Sequence, residues 1–166
     1  MIVIEDAGVH DAADILALQK LAYQSEAALY NDYSIPPLTQ TLEELVAEFQ
    51  HSLFLKAVQD GRIVGSVRAT LQDGTCAIGR LIVHPDAQGR GLGTRLMGAI
   101  EERFGHADRY ELFTGQQSAR NLHLYRKLGY RVFREKRLSE RVMIVYLEKP
   151  ARQGAVPGAT GEPSDT

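Results

Sequence analysis

Arg80-Leu-Ile-Val-His-Pro-Asp-Ala-Gln-Gly-Arg-Gly-Leu-Gly-Thr94 decides how this chain is read. Leu81, Ile82 and Val83 are an apolar run that reads as a strand, and Pro85 stops it. Glycines at 89, 91 and 93 follow, and the apolar spacing of an amphipathic helix begins at once. Glycine lets a backbone take positive φ and approach a ligand closely. The first N–H groups of a helix lack intrahelical acceptors and favour an anion. Strand, glycine loop and helix in this order predict a cradle for pyrophosphate.

Two phosphate loops can be tested against the spacing. A P-loop needs Gly-Lys-Ser/Thr at its end, but Gly93 is followed by Thr94 and Arg95. The dinucleotide fingerprint needs G-x-G-x-x-G. Its third glycine would fall on Thr94 counted from Gly89, and on Leu96 counted from Gly91. Both frames fail. What stands here is Gln88-Gly89-Arg90-Gly91-Leu92-Gly93, a Q-x-x-G-x-G pattern preceded by Leu81-Ile-Val-His-Pro85. It resembles the coenzyme A pyrophosphate loop of the GNAT N-acetyltransferase superfamily.

Working outward, Met1–Glu5 reads as a first strand and Asp11–Tyr30 as a helix with Ile15, Leu18, Leu21 and Ala22 on one face. Ser34-Ile-Pro-Pro37 is expected to be non-helical. Thr41 and Glu44 form a capping-box pattern that opens a helix to about Gln50. Leu53–Val58, Ile63–Leu71 and Thr75–His84 read as three strands joined by Asp60-Gly61 and Asp73-Gly74, strong hairpin signals. A long helix is expected from Gln88 or Gly89 to Phe104, burying Leu92, Leu96, Ile100 and Phe104. Tyr110–Thr114 is a strand and Ala119–Leu128 a helix ended by Gly129. Two strands, Tyr130–Arg137 and Arg141–Glu148, close the series. These elements predict an α/β protein with a mixed sheet and helices on both faces. Residues 150–166, with three prolines and three glycines, read as a disordered tail.

The 166 residues fit one domain. A net charge of −2 gives no reason to expect nucleic-acid binding, and the basic residues of Arg131–Arg137 read as a strand's solvent face. No apolar run reaches membrane length, and Met1-Ile-Val-Ile-Glu-Asp6 lacks signal-peptide features. Cys76 is the single cysteine, so neither an intrachain disulfide nor a cysteine-rich metal site is expected. It reads as a small buried hydrophobe. A soluble, cytoplasmic protein without a metal is the expectation, and a homodimer is left open.

The element order over residues 1–149 is similar to the GNAT fold, whose mostly antiparallel twisted sheet has one splayed strand pair. A second motif strengthens the resemblance: Asn121-Leu-His-Leu-Tyr125-Arg-Lys-Leu-Gly129-Tyr130. Asn121 and Tyr125 stand one helical turn apart on one face. In the family, an N-x-x-x-Y-x-K-x-G-[FY] run lies beside the thioester. The resemblance implies direct acetyl transfer from acetyl-CoA to an amine, small molecule or peptide. It implies that the backbone from Gln88 to Thr94 holds pyrophosphate, with Arg90 or Arg95 adding charge, and that the backbone of Ile82 and Val83 and the Asn121 side chain hold the pantetheine arm. Tyr125 would protonate the departing thiolate.

The base is left unassigned. The strand Cys76–His84 holds no carboxylate, so His84, Glu111 or a water chain are the candidates. Glu26, Tyr30, Asp32 and Tyr33, in the segment Tyr23–Pro37 that covers the acceptor site in the family, would suit a cationic amine. Two alternatives stand beside the enzyme: a noncatalytic acyl-CoA-binding or regulatory module on the same fold, and a nucleotide-phosphate enzyme, which the failed loop spacings oppose.

Overall fold

Asp60-Gly61 and Asp73-Gly74 take positive φ at both residues, 52° and 75° in the first pair and 52° and 80° in the second. Two such residues in succession make the turn whose twist suits antiparallel strands. They fold β2 (Leu53–Gln59), β3 (Arg62–Gln72) and β4 (Thr75–Val83) into a meander. The computed structural model describes residues 1–151 and adds β1 (Val3–Asp6), β5 (Arg109–Gly115), β6 (Arg131–Arg137) and β7 (Met143–Pro150). Together they form one 7-stranded sheet of order β1-β2-β3-β4-β5-β7-β6. Every neighbouring pair is antiparallel except β4 with β5, which is parallel. A parallel connection needs a crossover, and α5 (Leu92–Arg103) supplies it.

Alternation along the strands divides the core. Leu55, Ala57, Val67 and Ala69 face the side of α5, where Leu92, Leu96, Met97 and Ile100 are buried against them. Phe104 is only partly buried there. Leu122, Leu124 and Tyr125 of α6 (Ala119–Lys127) join the same cluster. Phe54 points the other way, onto Ile15 of α1 (Ala12–Ala22) and Leu45 of α4 (Leu42–Glu48). α2 (Gln24–Tyr30) and the short α3 (Pro36–Thr39) flank them, and Ala27, Tyr30 and Ile35 pack on Val142 and Ile144. This is the mixed, mostly antiparallel sheet with helices on both faces that the sequence predicts. Among the described residues, no helix is long and apolar enough to cross a membrane.

Four local expectations are revised. The Asp11–Tyr30 helix is broken at Tyr23, whose φ and ψ of −84° and 1° leave the helical basin. Pro36 and Pro37 do enter a helix, heading α3, because a helix's first N–H groups have no partner for proline to remove. α5 starts at Leu92, three or four residues late, because Gly89 and Gly91 take φ of 78° and 77°. Pro150 pairs with Arg109 as the last residue of β7, and the Ala151 N–H donates to the Asp108 carbonyl at 3.1 Å. The rest of the predicted tail lies outside the described residues.

The capping box forms as read. Thr41 Oγ1 accepts the Glu44 N–H at 3.1 Å, and Glu44 Oε1 accepts the Thr41 N–H at 2.9 Å. Thr41→Ala should therefore lower stability by about 1 kcal/mol, read as a shift in denaturant midpoint at unchanged slope.

Candidate active site

β4 and β5 pair over three residues, Thr75–Ala77 against Arg109–Glu111, and then part. On its other side β4 slips against β3: Ser66 faces Ile82 while Arg68 faces Gly79. Arg80 and Leu81 thus stand together opposite Val67, a β-bulge. Arg80 takes φ of 50°, a left-handed conformation that costs a non-glycine residue about 1–2 kcal/mol.

The parted strands open two spaces. The larger, about 920 Å³, lies between β4, the loop before α5, and α6. Ile82, Val83, Gln88, Gly89, Gly91, Leu92, Gly93, Thr94 and Asn121 all line it. α5 begins with Gly91 at the N-cap position, without a side chain to cap it and with no acidic residue in its first turn. Its leading N–H groups are therefore available to an anion. A Cβ on Gly93 would meet Leu124 at 3.4 Å and Leu81 at 3.9 Å, ordinary contacts. The missing side chain at 93 thus leaves cleft space open and relieves no packing clash.

Arg90 and Arg95 do not reach this cleft. Arg90 Nη2 turns back to the Asp86 carbonyl at 3.0 Å, and Arg95 Nη2 donates to the Ile2 carbonyl at 3.0 Å. The cations that line it are Arg120 and Lys127, on α6. Arg120 donates to the Gln88 side chain, whose Nε2 in turn donates to the Val83 carbonyl at 3.4 Å. The signal for Arg120 was its place beside Asn121, on the helix facing the loop.

The smaller space, about 180 Å³, is bounded by α2, α3, α6, β4, β5 and β7. Tyr23, Glu26, Leu81 and Asn121 line both spaces, so the two meet there. Tyr125 lines the smaller one and is 6% exposed, its ring edge-on to Tyr130 at 6.1 Å. Burial pushes its phenol well above the ordinary value, and Tyr23 and Glu26 add to this. Asn121 Nδ2 donates to Thr114 Oγ1 at 3.3 Å, which fixes the amide beside the junction.

Glu26 is the carboxylate at that junction. Burial raises its pKa, while a 2.9 Å bond from Ser118 Oγ and the charge of Arg120 offset part of the rise. Neither base candidate from the sequence lines these spaces. His84 Nδ1 accepts the Asp86 N–H at 3.0 Å and caps the turn Pro85–Ala87. Glu111 is paired with Arg109 at 2.8 Å. Of the acidic and aromatic segment, Tyr30 lines the smaller pocket, its hydroxyl accepting the Gln117 N–H at 2.8 Å. Asp32 instead accepts from Ser34 N–H and Oγ, and Tyr33 is 53% exposed. Cys76 is fully buried and its thiol is pushed up to about 12 by desolvation, so it stays protonated.

The GNAT acetyltransferase family model matches residues 15–130. Among curated proteins, the UPF0157 protein YqkA of Bacillus subtilis (strain 168) is 27% identical over 119 residues, 72% of this chain and 34% of its own length. The chain thus spans about a third of that relative. Among solved structures, PaiA N-acetyltransferase from Thermoplasma acidophilum, in complex with coenzyme A, matches at TM-score 0.74 and 18% identity, over 90% of this chain and 99% of its own. Ribosomal-protein-S18-alanine N-acetyltransferase from Escherichia coli matches at 0.77 and 15%, over 96% and 99%. YncA from Salmonella typhimurium, solved with acetyl-CoA, matches at 0.72 and 19%, over 96% and 99%. At such identities these structures establish the fold. The family match over more than half the sequence goes further: the chain belongs to the acetyltransferase (GNAT) family.

Proposed function

We propose that this protein moves an acetyl group from acetyl-CoA to a primary amine by direct attack, with Tyr125 as acid and Glu26 as base. One observation carries the reading: the cleft at the start of α5 and a smaller pocket meet at Glu26 and Asn121, and Tyr125 lines that pocket. In this reading the backbone from Gln88 to Thr94, with the Arg120 guanidinium, holds the pyrophosphate. The backbone of Ile82 and Val83 pairs with the pantetheine amides as an added strand would, and Asn121 steadies the arm. A thioester so held presents its carbonyl at the junction. There Glu26 accepts a proton as the amine attacks, and Tyr125 protonates the leaving sulfur.

Burial that raises the Tyr125 phenol does not disqualify it. The thiolate leaves into the same apolar surroundings and is penalised by the same desolvation, so the proton still has reason to move. Direct attack is favoured over a covalent cysteine route because Cys76, the single cysteine, lies buried and protonated in β4.

Thiol release on mixing the protein with acetyl-CoA and a panel of amines tests the reading. Release that depends on both components is the expected result. Saturable acetyl-CoA binding without release for any amine would favour a noncatalytic acyl-CoA-binding module.

A further inference from the structure

Most guanidinium groups that pack into this protein have a carboxylate partner. Arg68 holds Glu48 at 3.0 Å, and Arg109 holds Glu111 and Glu148 at 2.8 and 2.9 Å. Arg80 differs. It lines the 180 Å³ pocket, is partly buried, and has no carboxylate within 4.0 Å among the described residues. The Tyr23 side chain lines the same pocket beside it. The chain also holds Arg80 in a left-handed conformation at the β4 bulge, a strain that persists only where the surroundings impose it. Arg68 lies near enough to add like charge, although Glu48 compensates its own. That end of the pocket is therefore a cation short of an anion.

Ile35, Ile78, Leu112, Val142 and Ile144 supply apolar walls, and Tyr30, Thr114, Asn121 and Tyr125 add polar groups to the pocket. Its 180 Å³ is the space of about six waters at ~30 Å³ each. Glu26 stands where the pocket joins the cleft. We infer that the acceptor is a small zwitterion, an amino acid with an apolar side chain, whose carboxylate is gripped by Arg80 and whose amine is delivered to Glu26. A guanidinium offers a planar fork that fits a carboxylate on two bonds. Polyamines and aminoglycosides would bring positive charge against Arg80, and a protein N-terminus would bring a peptide group where the pocket asks for an anion. The cationic acceptor expected from the sequence rested partly on Asp32 and Tyr33, which lie outside the pocket.

The inference rests on the acetyl-transfer reading. The new N–C bond forms as the C–S bond breaks, giving an N-acetyl amino acid and coenzyme A. The acceptor ammonium loses two protons: one ends on the thiol by way of Tyr125, and one goes to solvent by way of Glu26.

Leucine, methionine and valine, each with its amide and its decarboxylated amine, separate the carboxylate's contribution from that of the apolar body. Thiol release should favour the acid over the amide by about 10- to 100-fold in kcat/KM for at least one of the three. Arg80→Met should bring that ratio towards one, and Arg80→Lys should keep part of it, with acetyl-CoA affinity as the check on folding. Amides or amines used as well as the acids would overturn the assignment. So would an unchanged ratio in Arg80→Met, or acetyl-CoA binding without acetylation of any of the nine. Failure to bind acetyl-CoA at all would instead sink the donor reading beneath it.

Discussion

Tyr125→Phe should lower kcat by about 100-fold or more while acetyl-CoA affinity stays within about twofold. The substitution removes one oxygen and keeps the ring that packs edge-on to Tyr130 at 6.1 Å. The loss should therefore fall on turnover, not on folding or cofactor binding. The pH profile gives a second reading of the same residue. An acid must be protonated to act, so activity that depends on Tyr125 is lost as pH rises through its pKa. That pKa is raised by burial, so no alkaline limb below about 10 should belong to this phenol. Wild-type turnover in the variant would remove Tyr125 from the acid role.

Glu26→Gln should cut kcat/KM by a comparable factor and erase the acidic limb of the pH profile. A base must be ionised, so wild-type activity falls as pH drops through the raised Glu26 pKa, a limb placed above the ordinary carboxylate range. Stability moves the other way. The unfolded chain gives up this proton at the ordinary, lower pKa, while the folded protein holds it longer. Between the two values the folded state binds more protons, so this group's contribution to stability falls as pH rises through that window. Glutamine removes the ionised, desolvated carboxylate and still accepts from Ser118 Oγ. Thermal melts at neutral pH should find the variant no less stable than wild type. A lower melting temperature with an unshifted pH limb would mean that Glu26 merely supports the fold.

Much of the scaffold was legible because short-range chemistry dictates it. Asp-Gly pairs tolerate the positive φ that a tight hairpin requires, and Thr41 with Glu44 caps a helix through two bonds spanning three residues. The glycine loop was recognisable for the same reason: its conformation is local. What escaped reading depends on distant groups. Lys20-Leu-Ala-Tyr-Gln24 holds neither glycine nor proline, yet the helix breaks at Tyr23, whose side chain lines the smaller pocket. The sequence points to His84, Glu111 or a water chain for the base. The carboxylate at the junction is instead Glu26 of α2, more than fifty residues before the glycine loop. Arg90 and Arg95 stood in the right motif and Arg120 did not. Helix rotation and loop curvature settled which guanidinium faces the cleft.

The short pairing of β4 with β5 makes the sheet a lever. Its fulcrum is pinned by Arg109, which donates to Thr75 Oγ1 at 3.0 Å and holds Glu148 at 2.9 Å, and by the Asp108 N–H on the Gly74 carbonyl at 2.8 Å. From Ala77 to Val83, six residues or about 20 Å at ~3.3 Å each, β4 has no partner on its β5 edge and keeps only β3 on the other. A swing of roughly 3° at the fulcrum would carry the tip about 1 Å, a misplacement on the scale that costs about 100-fold in rate. On the acetyl-transfer reading, the reach of the donor towards its acceptor is thus set in part at the part-buried Arg109–Glu148 pair.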